Sequence, residues 1–346
     1  MITIYLDWNV ISQMKNNQYE LLYNNLTKDN RFFIPYSMAH IGDLLSSYTN
    51  EPSQLDIINE DLKYLSKLTN NNCISVDKDD TILFFDSPEN QFYDRAHDED
   101  LFTDLNLDKI EKLFESDPLT SELGKQMIQA LKSTPLNEAF LSIISDTANS
   151  EQFNKVFPGL KNNPTMEGYF KSIGETMKRM NEDDYYKDLR QLLQSGLGIN
   201  RDKIFNNNNP HKIIQDTYRK LSTTSEPLLP TYDSNNAPSW FNEIYNDYIM
   251  LDMHGFQEDE VKVSKGRKKT FKNTMQDAFH AGFASTSHYY ICNDKRAYEK
   301  TKKVFEKLNI NTSIFKPDEF LDFYNKNLSP RPFADDLNIT FEAINF

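Results

Sequence analysis

The sequence predicts an α/β fold in which a central parallel sheet is interrupted by a long helical stretch. Two observations carry this expectation. Short β-branched and aromatic runs alternate with helical periods through residue 85 and again from about residue 256, the rhythm of parallel strands joined by helices. Between these blocks, helical periods alone occupy roughly half the chain. The expected organisation is therefore a first α/β part at 1–85, a helical insertion at 86–255, a second α/β part at 256–328 and a tail at 329–346.

In chain order, Ile2-Thr3-Ile4-Tyr5-Leu6 has the composition of a central strand. A helix is expected at 10–26. Phe32-Phe33-Ile34 reads as a strand closed by Pro35, and residues 38–48 as a helix with Ser37 as N-cap. A helix at 55–68 and a strand at 73–76 complete the first block. In the middle, Leu123, Met127, Ala130 and Leu131 share one helical face, as do Phe170, Ile173, Met177 and Met180. Pro118 and Pro135 stand where helices can begin, and 206–210 and 222–238 are loop-like. The second block reads as helix 273–285, strand 289–292, helix 297–308, strand 312–315 and helix 317–325.

A 346-residue chain with 38% hydrophobic and 13% aromatic residues can bury a sizeable core. Neither GxGxxG nor GxxxxGK occurs, and the GxG at Gly196 and Gly198 follows a helical pattern as a C-cap, which argues against dinucleotide and P-loop sites. Cys73 and Cys292 lie in apolar runs and read as reduced core residues. No signal peptide and no apolar run near the ~20 residues of a membrane span is present, so a soluble cytoplasmic protein is expected. The net charge of −14 counts against nucleic-acid binding by the surface as a whole, unless a local basic patch or bound cation inverts the field.

Acids fall where strands end. Leu6 is followed by Asp7, and the strand at 289–292 by Asn293-Asp294. Neighbouring parallel strands would set these carboxylates side by side at the carboxyl edge, where open α/β sheets bind ligands. Asp277 precedes His280 on one helix face, and His40 precedes Asp43 with the same spacing. Converging carboxylates repel one another unless protonated or bridged by a cation, and all-oxygen donors suit Mg²⁺ or Mn²⁺. Taken singly, each has an ordinary alternative: Asp7 and Asp294 can cap turns or helices, Asp43 can be solvated, and His280 can be a core histidine.

LDWNVIS, the IPYSMAH strand-to-helix step and DAFHAGFAS with TSHYYICNDKRAYEKTK resemble the PIN domain superfamily. The resemblance covers about the first and last 80 residues and implies a three-layer α/β/α nuclease that cleaves mainly single-stranded RNA with Mg²⁺ or Mn²⁺. It implies Asp7, Asp277 and Asp294 as metal ligands, with Asp43 as a further catalytic acid in competition with His40. Asn9, His40, His280 and His288 are candidate supporting donors. Trp8 stands where small hydroxyl residues are common, and His288 where many relatives carry another acid. Many members are bacterial toxins or effectors, so a toxin or antiviral defence role is an expectation of the same kind.

Six basic residues fall within the eleven positions 262–272, including Lys265, Arg267, Lys268, Lys269 and Lys272, which are the candidate RNA-phosphate contacts; a solvated charged loop is the alternative. The expected function is a metal-dependent endoribonuclease with RNA as partner. The helical insertion is available for a homodimer or a regulatory protein. A structure-specific DNA nuclease and a non-catalytic scaffold of the same fold are the competing readings.

Overall fold

A computed structural model describes residues 1–48, 51–96, 121–136, 159–180, 185–221, 234, 236–264, 267–269 and 271–329. It is an α/β structure built on a mostly parallel sheet. Strand β1 (Ile2–Leu6) lies between β2 (Phe32–Phe33) and β8 (Tyr289–Ile291), and β9 (Ser313–Phe315) flanks β8, with all four parallel. Beyond Ile34–Pro35 the chain re-enters extended structure as β3 (Tyr36–Ser37). That strand pairs parallel with β4 (Asn72–Val76), which pairs antiparallel with β5 (Thr81–Phe85). Proline has no amide hydrogen for a ladder, so the break between β2 and β3 falls at Pro35.

The register follows from burial on both faces. Tyr5 and Tyr290 point into one core, while Ile4, Leu6 and Ile291 point into the other. Each of these aliphatic side chains contributes about 1.5–3 kcal/mol by leaving water. A slip of one residue would send all of them to the wrong face, so the pairing of Leu6 with Ile291 is strongly specified. That pairing brings the residues after β1 and β8 to the same edge.

The second core is covered by α1 (Trp8–Lys15), α2 (Glu20–Lys28), α4 (Pro52–Thr69) and α14 (Pro317–Phe323), which runs on into a π-helical turn at Tyr324–Leu328. The helix expected at 10–26 is thus two helices. The break falls at Asn16-Asn17-Gln18, where Asn17 takes the left-handed conformation that asparagine tolerates better than most residues. Strand β5 was not expected. Asp77 accepts the amides of Asp79 and Asp80 in a tight turn that sends the chain back along β4, and the new strand leaves Phe85 75% exposed. Its open outer face removes the alternation by which a half-buried strand is read.

The first core is covered by α3 (Met38–Ser47), α11 (Ser239–Met253), α12 (Phe271–Ala284) and α13 (Lys295–Leu308). Phe241, Ile244, Tyr245, Tyr248 and Leu251 of α11 share this core with Tyr5 and Tyr290. The last part of the helical middle is therefore packed on the sheet, beside its strands and without extending them. Gly282 permits the approach, because a Cβ there would stand 2.6 Å from the Phe241 ring. Upstream lie α5 (Pro88–Ala96), α6 (Ser121–Ser133), α7 (Met166–Met180), α8 (Tyr185–Gly196), the single turn α9 (Arg201–Ile204) and α10 (Pro210–Leu221). A small cluster of Met180, Tyr185, Tyr186, Met253 and Phe271 joins α7 and α8 to α11 and α12, while Ile204, Ile214 and Tyr218 of α9 and α10 lie in the first core and Phe92 of α5 in the second. Among the described residues, no helix is long and apolar enough to cross a membrane.

Candidate functional site

Asp7 and Asp294 stand at the carboxyl ends of the adjacent strands β1 and β8. The Asp7 amide donates to the Ile291 carbonyl at 2.9 Å, which carries the ladder one residue past β1. Asp7 occupies the N-cap position of α1, yet its side chain makes no capping hydrogen bond. Its carboxylate is 2% exposed and receives Asn9 Nδ2 at 3.1 Å and the weak Cys292 thiol donor at 3.9 Å. Burial above all, with added repulsion from Asp43 and Asp294, raises its pKa to about 6 despite the attraction of His280. Asp294 differs. It is exposed, and its Oδ1 caps α13 by accepting the amides of Arg296 at 2.7 Å and Ala297 at 2.9 Å. The ordinary capping role is thus real for Asp294, and its charge still reaches Asp7 and Asp277.

The mirrored spacings at 40–43 and 277–280 meet across two helices. His280 Nε2 lies 2.8 Å from Asp43 Oδ2, and its Nδ1 lies 2.9 Å from the Tyr5 hydroxyl. Tyr5 continues to Ser37 Oγ at 2.6 Å. The Ser37 amide donates to His40 Nδ1 at 2.9 Å, so the His40 Nε2–H donates to the Leu6 carbonyl at 2.8 Å. His40 completes the capping box of α3 and has both ring nitrogens committed, so it positions the end of β1 and offers no lone pair to a cation. Gly42 leaves the space that the Gln276 side chain fills, which lets α3 and α12 approach closely enough for this contact.

Burial works against charge on His280, but the Asp43 carboxylate outweighs it and holds the imidazole above its ordinary pKa. His40 is pushed well below, by burial first and then by His280. A raised histidine stabilises the fold below its unfolded pKa of about 6.5 and loses that contribution as pH rises through the folded value. Urea midpoints should therefore fall between pH 6 and 8, and His280→Gln should flatten that fall while costing about 1–3 kcal/mol at pH 6. Equal pH slopes in the two proteins would disprove the assignment.

Asp277 is on α12 and partly buried, and its charge acts on Asp7 and Asp294. Burial, then Asp259, Asp7 and Asp294, push its pKa well above the carboxylate range, and Lys300 opposes them. Lys300 belongs to an ion cluster that sequence reading missed. Its ammonium is fully buried, 2.8 Å from both Asp252 Oδ1 and Asp259 Oδ1. Asp252 Oδ2 also receives Arg190 at 2.9 Å and the Tyr186 hydroxyl at 2.6 Å. Thr274, one turn before Asp277, donates to Asp259 Oδ2 at 2.8 Å. The readable signal was Lys300 itself, which shares the apolar face of Ala297, Thr301 and Val304.

The remaining expected residues divide. His288 is corrected: it precedes β8, so it lies at the amino ends of the strands, opposite the carboxylates, where its Nδ1 accepts the Thr3 amide at 3.1 Å. Arg267, Lys268 and Lys269 form β7, which pairs antiparallel with β6 (Lys262–Ser264) just before α12. Lys265 lies outside the described residues, and Lys272 is partly buried in the first turn of α12. Among the described residues, no three His, Cys, Asp or Glu side chains stand close enough together to hold a metal ion. The chain matches no family model, no curated protein and no solved structure.

Proposed function

We propose that the chain is a metal-dependent nuclease with a PIN-like three-layer fold and a helical insertion at 86–255, hydrolysing phosphodiester bonds in RNA. The observation that supports this most is the placing of Asp7 and Asp294 at the ends of adjacent parallel strands, with Asp277 and Asp43 acting on the same edge. Asp7 and Asp277 both hold their protons more tightly than ordinary carboxylates, first because they are buried and then because other carboxylates act on them. The donor set fits Mg²⁺ or Mn²⁺: every candidate ligand is a hard carboxylate oxygen.

Asp7, Asp277 and Asp294 would be the residues to hold the cation. When bound, such a cation offsets charge on the phosphate and activates water at neutral pH. Asn9 orients the Asp7 carboxylate through its amide, and Asp43 is held by His280, which tempers the negative field next to Asp7. The basic hairpin preceding α12, with Lys272, offers phosphate contacts on an otherwise acidic chain.

The test is cleavage of labelled single-stranded RNA, hairpin RNA and duplex DNA with Mg²⁺, with Mn²⁺ and with EDTA. Cleavage of RNA that requires the cation supports the reading. DNA cleavage alone moves the substrate class, and undiminished cleavage in EDTA removes the metal. Lys268→Ala with Lys269→Ala should weaken RNA binding and reduce the salt slope of log K by about 1 for each phosphate left without its cationic partner, with less change at saturating RNA. An unchanged salt slope would mean the hairpin does not touch phosphate.

A further inference from the structure

Strand β5 ends its sheet: it pairs with β4 on one side, and no strand flanks the other among the described residues. The ladder shows which backbone groups that leaves open. The Asp86 amide donates to the Asn71 carbonyl and the Asp77 amide to the Asp80 carbonyl, each directly across the register. Hydrogen-bonded and unbonded pairs alternate in an antiparallel ladder, so Ile82 and Phe84 are the residues bonded to β4. The backbone groups of Thr81, Leu83 and Phe85 therefore point away from β4. Asp80 Oδ1 takes the Thr81 amide at 2.7 Å, while the amides of Leu83 and Phe85 meet no partner among the described residues. The side chains of this edge are apolar and open as well: Ile82 is 40% exposed, Leu83 54% and Phe85 75%.

An exposed apolar edge is a template for a further strand, and proteins commonly blunt it with a charge or a proline inside the strand. Neither stands within Thr81–Phe85. The charges lie at its ends instead, with Asp79 and Asp80 before it and Asp86 after it. Asp86 receives only neutral donors, from Ser87, Asn90 and Gln91, which hold its carboxyl below the usual range and leave its charge uncompensated. A second copy pairing antiparallel about a twofold axis at Leu83 would set Asp80 opposite the Asp86 of its copy at both ends, and like charges placed so repel. We propose that β5 is the docking edge for an extended apolar segment of another protein, flanked at both ends by lysine or arginine and taken up as a further strand. The acids that reject self-pairing attract such a segment. At the Asp80 end it meets a cleft of about 1070 Å³ whose lining includes Asp80, Trp240 and Glu243, an aromatic ring and two carboxylates that suit a cationic side chain. Lys307 of the same cleft is tied to Asp247, so its charge is already answered. None of these residues belongs to the candidate carboxylate site, so the proposal stands apart from the nuclease reading.

The test uses the full chain and a labelled synthetic nonapeptide with a Val-Thr-Ile-Thr-Val centre and a pair of lysines at each end. Fluorescence anisotropy should show saturable binding that weakens about tenfold when alternate peptide amides are N-methylated, and again when the lysines are replaced by glutamates. Leu83→Pro should weaken binding about tenfold with the ladder to β4 intact, because the amide it removes points outward. Phe85→Lys places a charge on the edge and should act the same way; it carries the comparison if Leu83→Pro does not fold. Hydrogen exchange at the Leu83 and Phe85 amides should be fast in the free chain and slowed by the peptide. Absence of binding would overturn the proposal. So would equal binding by wild type and the folded variant, since lysines adhere anywhere to a chain of net charge −14. Amides protected in the free chain at every concentration would overturn it in favour of cover by another segment of this chain, and protection that grows with protein concentration would overturn it in favour of a second copy.

Discussion

Asp7→Asn is expected to lower metal-dependent cleavage by about 10²-fold or more while making the cation-free protein more stable above pH 6. The two effects share one cause. The Asp7 carboxylate is buried among like charges, and its pKa is about 6 in the fold against an ordinary 3.8. A carboxyl raised in this way binds its proton more tightly when folded, so stability is lost as pH rises from the ordinary value through about 6. A tenfold change in proton affinity between the folded and unfolded chain corresponds to ~1.4 kcal/mol, so the full penalty at pH 8, with the attraction of His280 already included, is on the order of 2–3 kcal/mol. Asparagine keeps the shape and can still accept from Asn9, but it brings no charge to bury or to offer a cation. Calorimetry in EDTA should show the variant gaining on wild type between pH 5 and pH 8. Adding Mn²⁺ should reverse the order, because only the wild-type edge gains by binding it. Parallel pH trends in the two proteins, or normal cleavage by the variant, would remove Asp7 from the site.

The strand-helix alternation made the sheet legible, because short buried strands and amphipathic helices write their periods locally. The common edge of Asp7 and Asp294 was legible for the same reason: each acid directly follows an apolar run, and parallel pairing then aligns the ends. What sequence could not show depends on contacts between distant residues. The bond from His280 to Asp43 spans 237 positions, and neither spacing says which histidine meets which acid. His40 illustrates the limit. At the sequence level it rivals Asp43 as a donor, while in the fold the Ser37 amide and the Leu6 carbonyl take both of its nitrogens.

Lys300→Met is expected to be the most destabilising of these substitutions, by about 3–5 kcal/mol in urea denaturation. The ammonium is fully buried with Asp252, which is also buried, and with Asp259, which is 19% exposed. With Arg190 included, the cluster holds two anions and two cations, so it is neutral as a unit and strongly charged in each part. The Lys300 pKa is accordingly raised, because Asp252 and Asp259 outweigh the burial that opposes its charge, and the Asp252 pKa is held down mainly by Lys300 and Arg190 against its own burial. Methionine fills the space of the lysine stem without its charge, so packing is nearly preserved and the loss is electrostatic. Among the described residues, Asp252 would retain Arg190 and Tyr186, whereas Asp259 would retain only Thr274 at its side chain, one turn from Asp277, which would itself lose the opposing charge of Lys300. The damage should therefore concentrate where α11, α12 and α13 meet beside the carboxylate edge. Lys300→Met combined with Asp259→Asn should recover part of the loss, since the uncompensated charge is removed along with its partner. A single variant as stable as wild type, or a double variant that is simply the sum of two losses, would show that Lys300 does not hold this junction together.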